Sequence, residues 1–164
     1  MPVKQTIRKD LKRLTSQNRH AEYSNWGKEI SVCAPSNNFN PMDPRKFAPG
    51  LGIWTTDNES GGFTLGSRYT GDFGGTSSAT PLVAGVSALM LSANPDLSAA
   101  EVKTILQLTA DKIQDTLPDH NGNNRGTYDQ MGHSGWFGYG KVNAAKAVKE
   151  AKRRAGVVQE PQLV

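Results

Sequence analysis

Gly75-Thr76-Ser77-Ser78-Ala79-Thr80-Pro81-Leu82-Val83-Ala84-Gly85 is the stretch whose reading decides the fold. Gly74 and Gly75 allow a tight turn and leave room for another backbone to approach. From Ser77 onward the residues suit a helix running to about Ala93, and Asn94-Pro95 ends it. Pro81 is expected in the first turn, where a missing N–H costs nothing. Val83, Val86, Leu89, Met90 and Leu91, with Ala79, Ala84 and Ala88, make the helix apolar nearly all round. Such a helix belongs in a core. A serine at its first turn has two readings. It is an N-cap of an ordinary core helix, or it is an exposed nucleophile facing the free N–H groups and the positive end of the helix dipole.

Working outward, a second helix is signalled by Ser98 and Glu101, a capping box, with Val102, Ile105, Leu106 and Thr109 as its inner face. A third runs from Ala144 to about Arg154, packing through Ala144, Ala147, Val148 and Ala151. Upstream, Ile30, Val32 and Ala34 alternate as a strand would, and Pro35 stops it. Residues 36–50 read as a surface loop. Gly52 to Thr56 and Arg68 to Phe73 read as strands around a turn centred on Gly61-Gly62. Asp115 to Ser134 is a polar loop, and Gly138 to Asn143 a short strand leading into the last helix. Ile7, Leu11 and Leu14 recur at helical spacing, which predicts a short amphipathic helix near the start.

The run Gly-Thr-Ser-x-Ala-x-Pro-x-Val-Ala-Gly over residues 75–85 resembles the segment around the nucleophilic serine of subtilisin-like serine proteases. Weaker echoes stand in the same order. A Ser-x-x-Gly turn at Ser24 to Gly27 precedes a strand ending in Ala34-Pro35, and the chain closes on Gly138-x-Gly140, Asn143 and an Ala-rich helix. The resemblance covers roughly residues 20–152. It implies an α/β fold, the C-terminal portion of a subtilisin-like three-layer domain with a parallel sheet. On this reading residues 1–19 are a basic segment unlike the family, 20–155 a partial peptidase domain and 156–164 a frayed tail. The resemblance makes Ser77 the catalytic nucleophile, with Gly75 and Thr76 beside the oxyanion and substrate. A peptide or protein is the implied substrate.

A serine hydroxyl needs a base and oxyanion donors to act at neutral pH. The family carries its Asp and His upstream of the serine, the histidine in a His-Gly-Thr-like context. His20 is followed by Ala-Glu-Tyr, and His120 and His133 lie downstream, so none matches. Neither Asn18 nor Asn25 sits in the Ala-Gly-Asn-like segment that supplies the family's oxyanion asparagine. Loss of one triad member leaves on the order of 10³–10⁴-fold catalysis over water, so the chain alone is expected to be inactive. A complementary chain carrying Asp and His would then be its partner. The alternative is a non-catalytic binding module on the same scaffold.

The chain has 164 residues, 36% of them apolar, and a net charge of +4. That suits a loop-rich globular protein and not a disordered one. The charge excess lies in Lys4, Arg8, Lys9, Lys12, Arg13 and Arg19. No aromatics interleave with these bases, so a nucleic-acid platform is not expected. Cys33 is the only cysteine, which excludes an internal disulfide and a cysteine metal cluster. The apolar run from Pro81 to Leu91 is too short to span a bilayer, and no signal peptide is expected, which leaves the compartment open. Asn58-Glu59-Ser60 fits a glycosylation sequon of a kind common by chance. Asp119-x-Asn121-x-Asn123 matches the start of an EF-hand loop. It lacks the glycine at the sixth position and the glutamate at the twelfth, so no metal site is expected there. Some family members bind structural calcium, and none of their ligands carries over residue by residue.

Overall fold

The computed structural model describes residues 11–21, 24–37 and 51–156. Ile7, most of the loop at 36–50 and nearly all of the tail from 156 lie outside them. At the centre is a parallel pair of short strands, β1 (Leu11–Leu14) and β2 (Val32–Pro35), in register Leu11 to Val32 and Leu14 to Pro35. The amphipathic spacing around Leu11 and Leu14 therefore does not give a helix. The pairing edge of β2 captures these residues as a strand, and tertiary pairing overrides local periodicity. The other edge of β2 bonds the 140–142 segment: Cys33 N–H donates to Gly140 O at 2.9 Å, and Val142 N–H to Cys33 O at 2.9 Å. Lys141 in turn bridges Asp111. Strand β2 is thus central, and Ile30 to Ala34 are buried without a polar alternation, as befits a strand covered on both faces.

Successive residues of β2 feed two cores. Val32 and Ala34 join a cluster with Ala79, Val83, Met90, Val102, Ile105, Leu106, Ala147 and Ala151 from the helices. Cys33 joins Leu14, Ile113 and Phe137 on the opposite face, under the 111–141 segment. The layers are therefore helices, sheet and looped segment. Away from the central sheet, β3 (Ile53–Thr56) and β4 (Tyr69–Phe73) form an antiparallel hairpin with an irregularity between Ile53 and Thr55. Asp57 organises its turn by accepting the N–H groups of Asn58 and Thr64 at 2.9 and 2.8 Å. The Trp54 ring lies so close over Gly71 that a Cβ there would collide with it. Trp54, Phe63, Leu65 and Tyr69 of this hairpin are exposed.

Three helices follow: α1 (Thr76–Ala93), α2 (Ala99–Leu108) and α3 (Ala144–Ala155). The capping box of α2 is present as read, with Ser98 Oγ accepting from Glu101 N–H and Glu101 Oε2 accepting from Ser98 N–H at 2.8 Å. Those Ser98 bonds, side chain and backbone, hold the Glu101 carboxyl below its usual value. Asn143 caps α3, and Ala147 and Ala151 pack inward; Ala144 is exposed, because it starts the helix beyond the contact. Buried Asn94 ends α1 and donates to Ala151 O at 3.2 Å, tying α1 to α3.

Helix α1 departs from its reading in two respects. Only one side is covered: Ser78, Ala79, Val83, Ser87 and Met90 are buried, whereas Leu82, Leu89 and Leu91 are exposed. Leu89, expected inside, is 56% exposed. In addition, α1 starts at Thr76, which puts Pro81 beyond the first turn. Proline lacks the N–H that would bond four residues back, so the Ser77 carbonyl loses its intrahelical partner. The helix has 18 residues and a mean hydropathy of 1.2, enough to cross a membrane by length and composition alone. Its packing through Val83 and Met90 against β2, α2 and α3 is that of a core helix.

Candidate active site

The turn before α1 is over-determined. Gly75 is the N-cap, at φ 84° and ψ 179°, a backbone region open essentially to glycine alone. It has no side chain to cap with, so Ser77 is not the N-cap serine of the plainer reading. The Gly75 carbonyl accepts the N–H groups of Ser78 and Ala79 at 3.1 and 3.3 Å. Ser78 Oγ lies 2.8 Å and Ser36 Oγ 3.1 Å from the same oxygen, and the two hydroxyls are 3.1 Å apart. Two protons serve three contacts, so two of these bonds form at a time. Both serines are almost wholly buried. Asn37 Nδ2 donates to Asp72 O at 2.9 Å, and a Cβ at Gly74 would collide with the Asn37 side chain. The end of β2 thus grips both sides of the turn.

Ser77 itself is exposed, one residue into the helix. Among the described residues its hydroxyl engages no other side chain. Thr76 is half-buried beside it. The Ser77 N–H, in the opening turn of α1, has no carbonyl four residues back within the helix to bond, and no acidic side chain offsets the dipole there. A hydroxyl in this position can attack an electrophilic carbon, with a donor already set for the negative charge that develops.

All three histidines lie elsewhere. The His20 ring packs edge-on to Trp136 at 4.9 Å and against Phe137, and the His20 backbone N–H donates to Asp115 Oδ2 at 3.3 Å. His133 Nε2 lies 2.7 Å from Ile30 O, with the ring against Tyr139. His120 contacts Trp26 and Asn121. The structure brings none of them to Ser77.

Asp119 and Asp129 of the polar loop bond their own backbone. Asp119 Oδ1 accepts Asn121 and Asn123 N–H at 2.8 Å each. Asp129 Oδ1 accepts Met131 and His133 N–H at 2.9 and 2.8 Å. Burial works to raise the Asp119 carboxyl, and the N–H groups of Asn123 and Asn121 outweigh it, which holds the carboxyl below its usual value. Among the described residues no three His, Cys, Asp or Glu side chains converge as metal ligands would. Lys112 donates to Gly132 O and, at 3.0 Å, to Tyr139 O, and burial lowers its ammonium pKa.

The supports Ser36, Asn37 and Ser78 were not singled out from the sequence. Ser36 and Asn37 lie some forty residues from Ser77 and meet its turn only through the fold. Their one local signal is their place directly after the strand-ending Ala34-Pro35.

Comparison with known proteins identifies the scaffold. The profile of the Subtilase family matches residues 6–140, so the chain belongs to that family. It is 41% identical over 138 residues to a calcium-dependent protease of Nostoc sp., covering 79% of this chain and 19% of that protein. Among solved structures, a serine protease of Aeromonas sobria shares the fold, with a TM-score of 0.68 at 22% identity over 94% of this chain and 30% of that one. A protease of Pseudoalteromonas arctica matches at a TM-score of 0.57 and 28% identity, over 86% of this chain and 35% of that one. The chain therefore spans about a fifth of the Nostoc relative's length.

Proposed function

We propose that this subtilase-family chain is the nucleophile-bearing part of a serine endopeptidase, with Ser77 forming the acyl-enzyme. The observation that carries this reading is the exposed Ser77 on a turn whose carbonyl accepts the Ser78 and Ala79 N–H groups and lies against two buried serine hydroxyls. Ser77 Oγ would bond to the carbonyl carbon of a peptide while its proton passes to a base. The Ser77 N–H and the positive end of the helix dipole would stabilise the oxyanion, and collapse would expel the amine and leave the acyl group on Ser77. Gly75, without a side chain, lets the substrate backbone approach, and Thr76 lies beside it.

The base is not His20, His120 or His133, whose contacts lie elsewhere. A histidine oriented by a carboxylate, both from outside these 164 residues, completes the site. The exposed side of α1, with Leu82, Leu89 and Leu91, is where the segment carrying them would pack. Val83 does not serve this contact, because the chain's own core already holds it. Among the described residues no three His, Cys, Asp or Glu side chains converge as metal ligands would, and no step is routed through a metal.

The test is active-site labelling with a fluorophosphonate. The chain alone should label negligibly. Mixed with a polypeptide carrying the missing Asp and His segments, it should label at Ser77 and cleave casein, and Ser77→Ala should abolish both. Fast labelling of the chain alone, or cleavage that survives Ser77→Ala, would overturn the assignment.

A further inference from the structure

Asn121-Gly122 is the only Asn-Gly dipeptide in the chain. It sits at an exposed turn, with Gly122 at φ 80° and nothing within 4 Å of where a Cβ would stand. The turn is pinned from behind: Asp119 Oδ1 accepts Asn121 N–H and Asn123 N–H, and Asp119 N–H donates to Asn123 O at 2.7 Å. His120 Nε2 lies 3.0 Å from the Asn121 side-chain nitrogen. The His120 ring is backed by Trp26 at 5.1 Å, which stacks on Trp136 at 5.4 Å with Arg125 4.9 Å from the Trp136 ring centre. An aromatic ladder thus holds an imidazole against a side-chain amide whose following residue, Gly122, has no side chain to obstruct approach of its nitrogen.

We propose that Asn121 is a self-modification site, deamidating through a succinimide with His120 assisting departure of the amide nitrogen. The Gly122 N–H leaves its 3.1 Å bond to Asp119 O and gives its proton to a solvent base. The Gly122 nitrogen then bonds to Asn121 Cγ. The His120 imidazolium donates a proton to the side-chain nitrogen, the Cγ–Nδ2 bond breaks, and ammonia leaves. Water opens the ring at either carbonyl and leaves aspartate or isoaspartate at position 121. No oxidant or cofactor is needed. The product adds a negative charge beside Asp119 and His120. In its isoaspartate form it also lengthens the backbone inside the Asp119 turn.

The experiment is timed incubation of the purified chain at neutral pH, with peptide mapping by mass spectrometry that separates aspartate from isoaspartate. Asn121 should convert well ahead of Asn123 and Asn124 in the same map. His120→Gln, with an unchanged far-ultraviolet dichroism spectrum, should slow conversion severalfold. That is less than the ~10²-fold lower end for a positioned general acid, because His120 is exposed. Trp26→Leu, which removes the ring behind His120, should act in the same direction. A synthetic peptide of residues 117–125 should be insensitive to H120Q. The proposal fails if Asn121 stays intact while the peptide converts, if H120Q leaves the folded rate unchanged, or if H120Q slows the peptide as much as the protein.

Discussion

The two sides of α1 are alike in composition and opposite in fate. One side, with Val83 and Met90, is sealed against β2, α2 and α3. The other, with Leu82, Leu89 and Leu91, faces solvent. The difference teaches that apolarity states a demand for cover and not its source. The sealed side is met within this chain. The open side keeps its demand, and it belongs to the same helix that presents Ser77.

Substitution should separate the two sides most sharply. Met90 is fully buried, so Met90→Ala should cost about 2–5 kcal/mol. Leu89→Ala should stay within about 0.5 kcal/mol, as exposed positions do. Denaturant titration of both variants measures the gap. Equal losses would break the comparison and mean that something covers Leu89 in solution. Concentration-dependent sedimentation would show this cover as self-association, which the exposed leucines favour, and Leu89→Lys should reduce it.

A smaller effect is expected where the sealed side meets the nucleophile's turn. Gly75→Ala places a Cβ on an essentially glycine-only backbone conformation, a strain of about 1–3 kcal/mol. Calorimetric melting should register the loss. An unchanged melting point would show that the turn relaxes freely and that the hydrogen bonds to its carbonyl hold it weakly.

The smallest effect belongs to the polar face of α3. Glu150 bonds Arg153 at 2.7 and 2.8 Å and Arg154 at 2.9 Å. Those side-chain bonds lower its pKa from 4.5 to about 2. A carboxyl with a depressed folded pKa stabilises fully above its unfolded value and loses that contribution as pH falls through the folded one. The contribution should fade between pH 4.5 and about 2, and Glu150→Gln should flatten that limb of the stability curve. The pairs are partly exposed at the surface of α3, so the change should be slight. A large acid-limb change in the variant would mean that the pairs are better shielded than their exposure implies.

Local chemistry made much of this fold legible. The capping box at Ser98 and Glu101, the stop at Asn94-Pro95, the hairpin around Gly61-Gly62 and the Gly-Gly turn before Ser77 all follow from residues within a few positions of each other. The serine motif was legible for the same reason, since turn, nucleophile and helix are contiguous. What failed was long-range. The spacing of Leu11 and Leu14 suits a helix, and only the edge of β2 makes it a strand. Nothing near Ser36 or Asn37 points to a turn some forty residues on.

By itself, then, the sequence determined where the chain turns, the approximate extent of its three helices, and that a serine opens an apolar helix. Dihedral preferences, caps and side-chain periodicity act over a few residues and can be read there. Only the tertiary structure decided that β2 is covered on both faces, that Ser36 and Ser78 lock the Gly75 carbonyl, and that the histidines are held away from Ser77. It also decided which leucines of α1 stay exposed. Burial and hydrogen-bond partnership depend on which distant segments compete for the same surface, and that competition is settled only when the chain packs.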